Sequence, residues 1–373
     1  PSLESWANAE AGKYTRLDLT SRFGDAVMPE MRAIDMRSED LPGGRWVSPT
    51  LQSAIQARLD AGEQALIFLN RRGYAPVTLC RACGQQVACT QCDARMVEHR
   101  FLKRLMCHQC GESTPIPTAC PSCEAEDRLA PVGPGVERMA EEAAELFPDA
   151  RLAVLSSDLF SSARALKAQI EDIASGGADL IIGTQLVAKG HNFPLLTLVG
   201  VIDADLGLQG SDLRAAERTF QLMRQVAGRA GRSSRRGTAL LQTFQPEHPV
   251  IRAILTGDEE AFWGAEAAER REAGMPPFGR MAGVVISDPD PQVAFDVGTA
   301  LARNAGPLHA LGAAVYGPAP APISRIRGRH RVRLLVKAAK GTPLQSALSQ
   351  WVGALKLPPS LRLSIDIDPQ SFY

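Results

Sequence analysis

A chain of 373 residues can bury two or three separate cores, and with 41 Lys+Arg against 41 Asp+Glu its formal net charge is zero, so total charge neither selects nor excludes a polyanionic partner. No run of about eighteen apolar residues occurs, which removes a membrane-spanning helix from the expectation. Aromatic residues make up only 5%, which leaves few stacking platforms for single-stranded bases.

In chain order, Ser48-Pro49 reads as a helix start with proline at its first position. Leu51, Ile55 and Leu59 then form one apolar face, and Gly62 ends the helix. Ala65 to Asn70 follows as a buried strand. Beyond a cysteine block, strands are expected at Leu152 to Leu155, Leu180 to Gly183, Leu198 to Asp203 and Ala239 to Phe244, separated by helical patterns near 136–147, 161–175 and 211–228. This is the βαβ rhythm of a parallel sheet covered on both faces. The cysteine block interrupts it, leaving through Arg71-Arg72-Gly73 and returning through Gly133-Pro134-Gly135. After Met275-Pro276-Pro277 the pattern becomes strand 281–286, helix 290–304, strand 312–317, strand 331–337, helix 343–354 and strand 361–367. That βαββαβ order predicts a separate ferredoxin-like α+β domain, which by itself specifies no function.

All eight cysteines form four Cys-x-x-Cys pairs: Cys80/Cys83, Cys89/Cys92, Cys107/Cys110 and Cys120/Cys123. Two pairs complete one tetrahedron of Zn–S bonds of about 2.3 Å with no open position, so two structural zinc ions are expected. A disulfide framework would instead scatter cysteines through a small secreted chain, whereas this one opens with no signal peptide, and reduced cysteines suit the cytoplasm. Five residues separate Cys83 from Cys89, a short loop to bring both its ends onto one ion, while the fourteen between Cys92 and Cys107 resemble a zinc ribbon. The expectation is therefore nested: Cys89, Cys92, Cys107 and Cys110 on one zinc, and Cys80, Cys83, Cys120 and Cys123 on the other, closing the neck of an inserted module. His108 could replace a thiolate, but a surface imidazole is the simpler reading.

Gln225 to Arg232, Gln-Val-Ala-Gly-Arg-Ala-Gly-Arg, ends the 211–228 pattern and puts Arg229 and Arg232 three residues apart, hence on one helix face. Such a pair can clamp a phosphoryl group, or it can simply answer the helix dipole as a solvated basic end. Gly183-Thr184-Gln185-Leu186-Val187-Ala188-Lys189-Gly190-His191-Asn192-Phe193-Pro194 directly follows a buried strand, where open α/β sheets bind ligands. Asp203 and Asp205 end the next strand, placed to orient an arginine or receive a ligand hydroxyl, or to cap their own loop. Two local basic clusters stand out: Arg95, Arg100, Lys103 and Arg104 among the cysteines, and Arg325, Arg327, Arg329, Arg331 and Arg333 around His330. In a strand Arg329, Arg331 and Arg333 share a face, suited to phosphates or to keeping an edge strand soluble.

Taken together, Asn70-Arg71-Arg72-Gly73-Tyr74, the four cysteine pairs, Gly183-Thr184-Gln185 with Ala188-Lys189-Gly190-His191, Asp203-Ala204-Asp205 and Gln225 to Arg232 resemble the second helicase lobe of the PriA family of bacterial replication-restart helicases. Pro1-Ser2-Leu3-Glu4-Ser5 is similar to the tail of the Ser-Ala-Thr motif that closes the first lobe there, and Asp366-Ile367-Asp368-Pro369 fits the family's ending. The resemblance implies an α/β, RecA-like parallel-sheet lobe in two parts, 1–77 and 131–270, an inserted two-zinc module at 78–130 and a C-terminal α+β domain at 271–373.

It further implies that Arg229 and Arg232 are arginine fingers reaching ATP on the first lobe, with Gln225 near the phosphates, and that Gly183, Thr184, Lys189 and Gly190, with Asp203, couple nucleotide to DNA backbone. The family's cysteine pairing is the nested one. Implied partners are forked and single-stranded DNA, the acidic tail of single-stranded-DNA-binding protein at the C-terminal arginines, and primosome and replicative-helicase loading proteins, with no membrane. The sequence holds no Gly-x-x-x-x-Gly-Lys-Ser/Thr and no Asp-Glu-x-His, so the phosphate cradle and Mg²⁺ carboxylate of an ATPase are missing and the chain alone is expected to be inactive. A piece lacking the first lobe accounts for this; Ser156-Ser157-Asp158, where the family often has Asp-Arg-Asp, is a smaller departure. A non-enzymatic zinc-containing DNA-binding or primosome-scaffold protein is the alternative reading.

Overall fold

The computed structural model describes residues 1–370 apart from 18–27, 43–44, 71–76, 81–84, 86, 92–95, 100–103, 108–109, 111, 128, 133–134, 157–158, 161, 189–190, 209–213 and 232–234. Six parallel strands form the first sheet in the order Glu30–Asp35, Thr238–Thr243, Leu196–Val201, Gln64–Phe68, Leu180–Gly183, Leu152–Leu155. Alternate residues of each inner strand feed separate cores. Leu66 and Phe68 join Val199, Phe220 and Met223 on one face, while Ala65 and Ile67 join Leu51, Ile55 and Met139 on the other. Covering on both faces is why these strands read as continuous apolar runs.

The helix expected after Ser48 is Pro49–Asp60, and the Ser48 hydroxyl accepts from the Leu51 amide at 3.3 Å. Leu51 and Ile55 are fully buried, with Leu59 packed at the margin. The expected helices settle as Val136–Leu146, Ala163–Ala174 and Ala215–Ala227. Three helices and a strand add to the expected elements. Leu3–Glu10, Pro249–Thr256 and Glu259–Glu272 pack on the face that holds Phe220, Phe262 and Trp263. Strand Glu30–Asp35 is half polar because it lies at the sheet edge, paired to Thr238–Thr243 alone.

The cysteine block is a five-stranded antiparallel sheet in the order Ser113–Pro115, Arg104–Met106, Val97–His99, Val77–Cys80, Leu129–Val132. Its entering and leaving strands pair with each other, Val77 opposite Val132 and Cys80 opposite Leu129. The last sheet is antiparallel in the order Ala314–Ile326, Arg329–Ala339, Gly279–Asp288, Arg362–Ile367. Helices Pro291–Arg303, Gly306–Ala310 and Leu344–Gly353 accompany it, and Trp351, 2% exposed, donates its indole N–H to the Leu301 carbonyl at 3.0 Å. The βαββαβ order holds with one short helix added. The strand expected at 312–317 runs to Ile326, although Pro318, Pro320 and Pro322 lower its strand propensity. It is an edge strand, with register shifts near those prolines, so the missing amides cost few ladder bonds.

A buried charge cluster ties the helices of the first face together. Glu217 lies 3.2 Å from Arg214 and 3.6 Å from Arg270, and Arg270 lies 2.7 Å from Glu266. Glu217 also accepts from the Leu3 amide at 3.2 Å, and Arg270 donates to the Pro276 carbonyl at 3.3 Å, at the turn into the last domain. Truncating one partner of such a cluster strands the others in low dielectric. Glu217→Ala is therefore expected to cost about 3–5 kcal/mol, measured as the shift in urea-unfolding free energy of the parallel-sheet lobe; a change below about 1 kcal/mol would mean the charges are solvated.

Candidate metal centres and nucleotide-coupling loop

The sulfurs of Cys80, Cys120 and Cys123 lie within 4.8 Å of one another, and so do those of Cys89, Cys107 and Cys110. The Cys80–Cys123 and Cys89–Cys110 sulfur separations are 3.7 and 3.6 Å. A tetrahedron with bonds of about 2.3 Å has edges of about 3.8 Å, so both sets fit a zinc ion. Each set draws on the nested partition, outer pairs with outer and inner with inner. Cys83 and Cys92, the remaining members, and His108 lie outside the described residues.

Three of the knuckles share one backbone pattern. The amides of Cys80, Cys107 and Cys120 donate to the carbonyls five residues on, at Gln85, Glu112 and Ala125, at 2.8, 2.8 and 3.0 Å. The amides of Gln91 and Ser122 point at Cys89 Sγ (3.3 Å) and Cys120 Sγ (3.4 Å). Backbone N–H groups of Ser122 and Cys123 pull the Cys120 thiol down to about 6, favouring the thiolate that a metal needs. No disulfide joins the described cysteines. Two thiolate clusters of this geometry suggest zinc.

The arginine pair departs from expectation. The helix ends at Ala227, so Arg229 stands in the turn beyond it and not on a helical face; Arg232 lies outside the described residues. Beyond the Gly228 cap the chain turns away: Gly231 adopts φ +70° and donates to the Leu196 carbonyl at 3.0 Å. A Cβ on Gly231 would sit 2.5 Å from the Gly237 amide nitrogen, and one on Gly237 2.5 Å from the Ala230 carbonyl carbon. Two backbone segments thus pass where only glycine fits. Gly237 was not singled out from sequence; its spacing from Gly231 was the available signal.

Arg229 is 8% exposed, and its two terminal nitrogens donate to the Ala188 and His191 carbonyls, each at 2.7 Å. Burial first, and the Arg229 charge second, hold the His191 imidazole below its ordinary value. Gln225 is exposed on the preceding helix. Gly183 closes its strand where a Cβ would meet Val187 at 2.4 Å, and buried Thr184 accepts from the Val187 amide at 3.0 Å to begin the short helix Gln185–Ala188. Lys189 and Gly190 lie outside the described residues.

Asp203 and Arg229 stand at opposite ends of one strand. Gly231 holds the arginine turn at the amino end of strand Leu196–Val201, whereas Asp203 follows its carboxyl end. Its Oδ1 accepts from the Asp205 and Leu206 amides at 3.0 and 2.9 Å, the loop-capping alternative, and burial raises its carboxyl above the ordinary range. Asp205 accepts from the Thr243 hydroxyl and from the Phe244 amide at 2.6 Å, tying two strand ends.

Arg329, Arg331 and Arg333 alternate with buried Val332, Leu334 and Val336, so they do share a sheet face. Arg329 spends Nη2 on the Ser287 and Ser360 carbonyls, both at 2.6 Å, and Arg331 donates to the Ile323 carbonyl at 3.3 Å. Arg325 is half-buried, and Arg327 is exposed at the hairpin turn.

The family model described as the primosomal protein N C-terminal domain matches residues 271–370, and that of the PriA DNA helicase Cys-rich region matches 89–115. The replication restart protein PriA of Rickettsia felis is 41% identical over 373 residues, 100% of this chain and 57% of its own length. The Bacillus subtilis protein of the same name is 37% identical, over 99% of this chain and 46% of its own. The chain thus spans about half the length of the curated relatives it matches. Among solved structures, S. cerevisiae Dbp5 bound to RNA and ADP BeF3 is 13% identical over 69% of this chain and 46% of its own, with a TM-score of 0.32, too slight a likeness to carry an argument.

His191 is expected to titrate below the ordinary histidine value and so to stay neutral at pH 7. Arg229→Gln removes the neighbouring charge and should move that midpoint up, read from the imidazole proton shifts of His191 by NMR. A midpoint that moves down would refute the contact.

Proposed function

The chain matches the C-terminal part of the PriA replication restart proteins along its whole length, and on that premise we propose that it is the motor-completing portion of an ATP-dependent 3′-to-5′ DNA helicase that acts at stalled or abandoned forks and initiates primosome assembly. The observation that carries this reading is the extent of the match: parallel-sheet lobe, cysteine module and last domain align in one unbroken order. Its parts are the lobe at 1–77 and 131–270, the zinc module at 78–130 and the α+β domain at 271–373.

The phosphate cradle and Mg²⁺ carboxylate belong to a first lobe outside this sequence, and ATP with Mg²⁺ would be held there. This chain would contribute Arg229 and Arg232 at the nucleotide, with Gln225 close by, and Thr184, Lys189 and Gly190 on the segment between the cleft and the DNA backbone. The Arg229 geometry supports such coupling. Its guanidinium holds the ends of the Ala188–His191 segment, and to reach a nucleotide it must release those carbonyls. One side chain thereby has two exclusive positions, one serving the loop and one the phosphates. Basic Arg325, Arg327 and Arg333 suit DNA phosphates or the acidic tail of single-stranded-DNA-binding protein; primosome and helicase-loading proteins are the further partners, in the cytoplasm. No helix among the described residues is long and apolar enough to cross a membrane.

Two zinc ions per chain are expected, four thiolates to each, and elemental analysis of protein purified without chelators checks the count; one ion, or iron, rejects the nested assignment.

In the intact protein Arg232→Ala is expected to lower DNA-stimulated ATP turnover about 10³-fold or more while DNA affinity stays nearly unchanged. Arg229→Ala should show a comparable loss of turnover together with weaker DNA binding, because the loop loses its tie. Parallel ATPase and DNA-affinity titrations test both, and wild-type hydrolysis by either variant removes that arginine from the motor. Intact protein that neither hydrolyses ATP nor unwinds forks would favour the scaffold alternative.

A further inference from the structure

The tip of the hairpin between strands Ala314–Ile326 and Arg329–Ala339 leaves its own domain and rests on the inner cysteine cluster. Ile326 packs against the small core formed by Val87, Cys89, Met96, Leu105 and Cys107. The Gly328 amide donates to the Gln91 carbonyl at 2.9 Å. Gln91 is the residue whose own amide points at Cys89 Sγ, at 3.3 Å. One peptide segment therefore faces the metal cluster with its N–H and the last domain with its C=O.

The turn itself is unusual for its sequence. Ile326 pairs with Arg329, and the two residues between them both lie in the left-handed region, Arg327 at φ +49° and Gly328 at φ +73°. Two-residue hairpins favour that geometry, but the first position ordinarily carries Asn, Asp or Gly. A long side chain there is held at an energetic cost, and such strain persists where surrounding contacts fix it. The contacts that fix it here are those of Ile326 and Gly328 on the knuckle.

We propose that residues Ile326–Gly328 form a latch that reads the inner metal site, so that zinc on Cys89, Cys92, Cys107 and Cys110 sets the position of the C-terminal domain and of its Arg329–Arg333 row. With the metal bound, Cys89 Sγ is fixed, and with it the Gln91 peptide that gives its N–H to that sulfur and its carbonyl to Gly328. Without the metal, Cys89 Sγ is no longer tied to the other thiolates, and both the acceptor for Gly328 and the socket for Ile326 loosen. The four-stranded sheet of the last domain does not need the latch for its own core, which lies at Val284, Leu334 and Trp351, at a distance along the strands from the tip. The latch thus controls where that domain sits rather than whether it folds.

This inference rests on the zinc reading of the inner cluster, and the test separates the two. Hydrogen exchange of the intact protein is followed by mass spectrometry before and after zinc removal by a chelator, with bound zinc counted in the same samples. The amides around Gly328 should exchange about tenfold faster once the inner zinc is gone, the effect of losing about one net hydrogen bond. Cys89→Ser should do the same, and Cys123→Ser, at the outer cluster, should leave the tip protected. In the reverse direction, Ile326→Asp should speed the release of one zinc equivalent to a chelator while the second leaves at the wild-type rate, with exchange in the Gly279–Asp288 strand unchanged as the control for folding. Zinc bound and then lost without any change at Gly328 overturns the latch alone. Protein that never binds zinc overturns both the latch and the metal reading, and equal zinc release from Ile326→Asp and wild type overturns the latch whatever the exchange shows.

Discussion

Burial of the six-stranded sheet on both faces is the constraint from which the other arrangements follow. Because neither face meets water, reactive groups cannot sit on the strands and are pushed to the ends and the connecting turns. Gly183, Thr184 and Asp203 stand at carboxyl ends, and Arg229 at an amino end. Helices that cover the faces can carry charge only where it is matched, which is the position of Glu217 between Arg214 and Arg270. That cluster reaches from the first helix to the Pro276 turn, so the domain after the sheet begins from a fixed point rather than a free linker.

Much of this was legible because the double cover writes itself into composition. Leu180–Gly183 and Leu152–Leu155 fall where their apolar runs put them, and Ser48-Pro49 marks its helix start through cap chemistry that acts within one turn. Glu30–Asp35 was invisible for the opposite reason: an edge strand with alternating exposure needs only one partner, 208 residues away in sequence. Helices Pro249–Thr256 and Glu259–Glu272 do carry signals of their own, Pro249 at a first position, Gly257 in the left-handed region between them and Asp258 accepting from the Ala261 amide, but lie outside the strand–helix alternation on which the expectation was built. In the candidate sites, metal geometry restricts loop lengths, and three sulfurs of each expected cysteine set do come together. The path of the chain past the arginine helix could not be read, since it depends on Gly231 meeting Gly237 across a turn, and a contact between two backbones leaves no trace in side-chain periodicity.

The two carboxylates after strand Leu196–Val201 show how a motif can be chemically plausible and locally occupied. Asp203 and Asp205 spend their oxygens on amides and a hydroxyl of neighbouring strand ends. Arg229 spends its nitrogens in the same manner, yet on a segment that includes Lys189 and Gly190. The difference is what each contact holds. The aspartates hold strand ends together within a single sheet, and the arginine holds a connection that crosses from one end of the sheet to the other.

The pairing of Val77–Cys80 with Leu129–Val132 bears on how the chain acquires its shape in time. Strands hydrogen-bonded to each other run about 4.8 Å apart, so an insertion of some fifty residues presents its two ends to the lobe as neighbours. The closure entropy that a loop of that length would impose is met inside the module, by its own ladder and thiolate clusters, and not by the sheet it interrupts. The lobe can then assemble as though a short connection joined Gln64–Phe68 to Val136–Leu146, keeping the contacts between these two effectively local. An insertion built in this way is free to change in size and surface without slowing the fold that carries it.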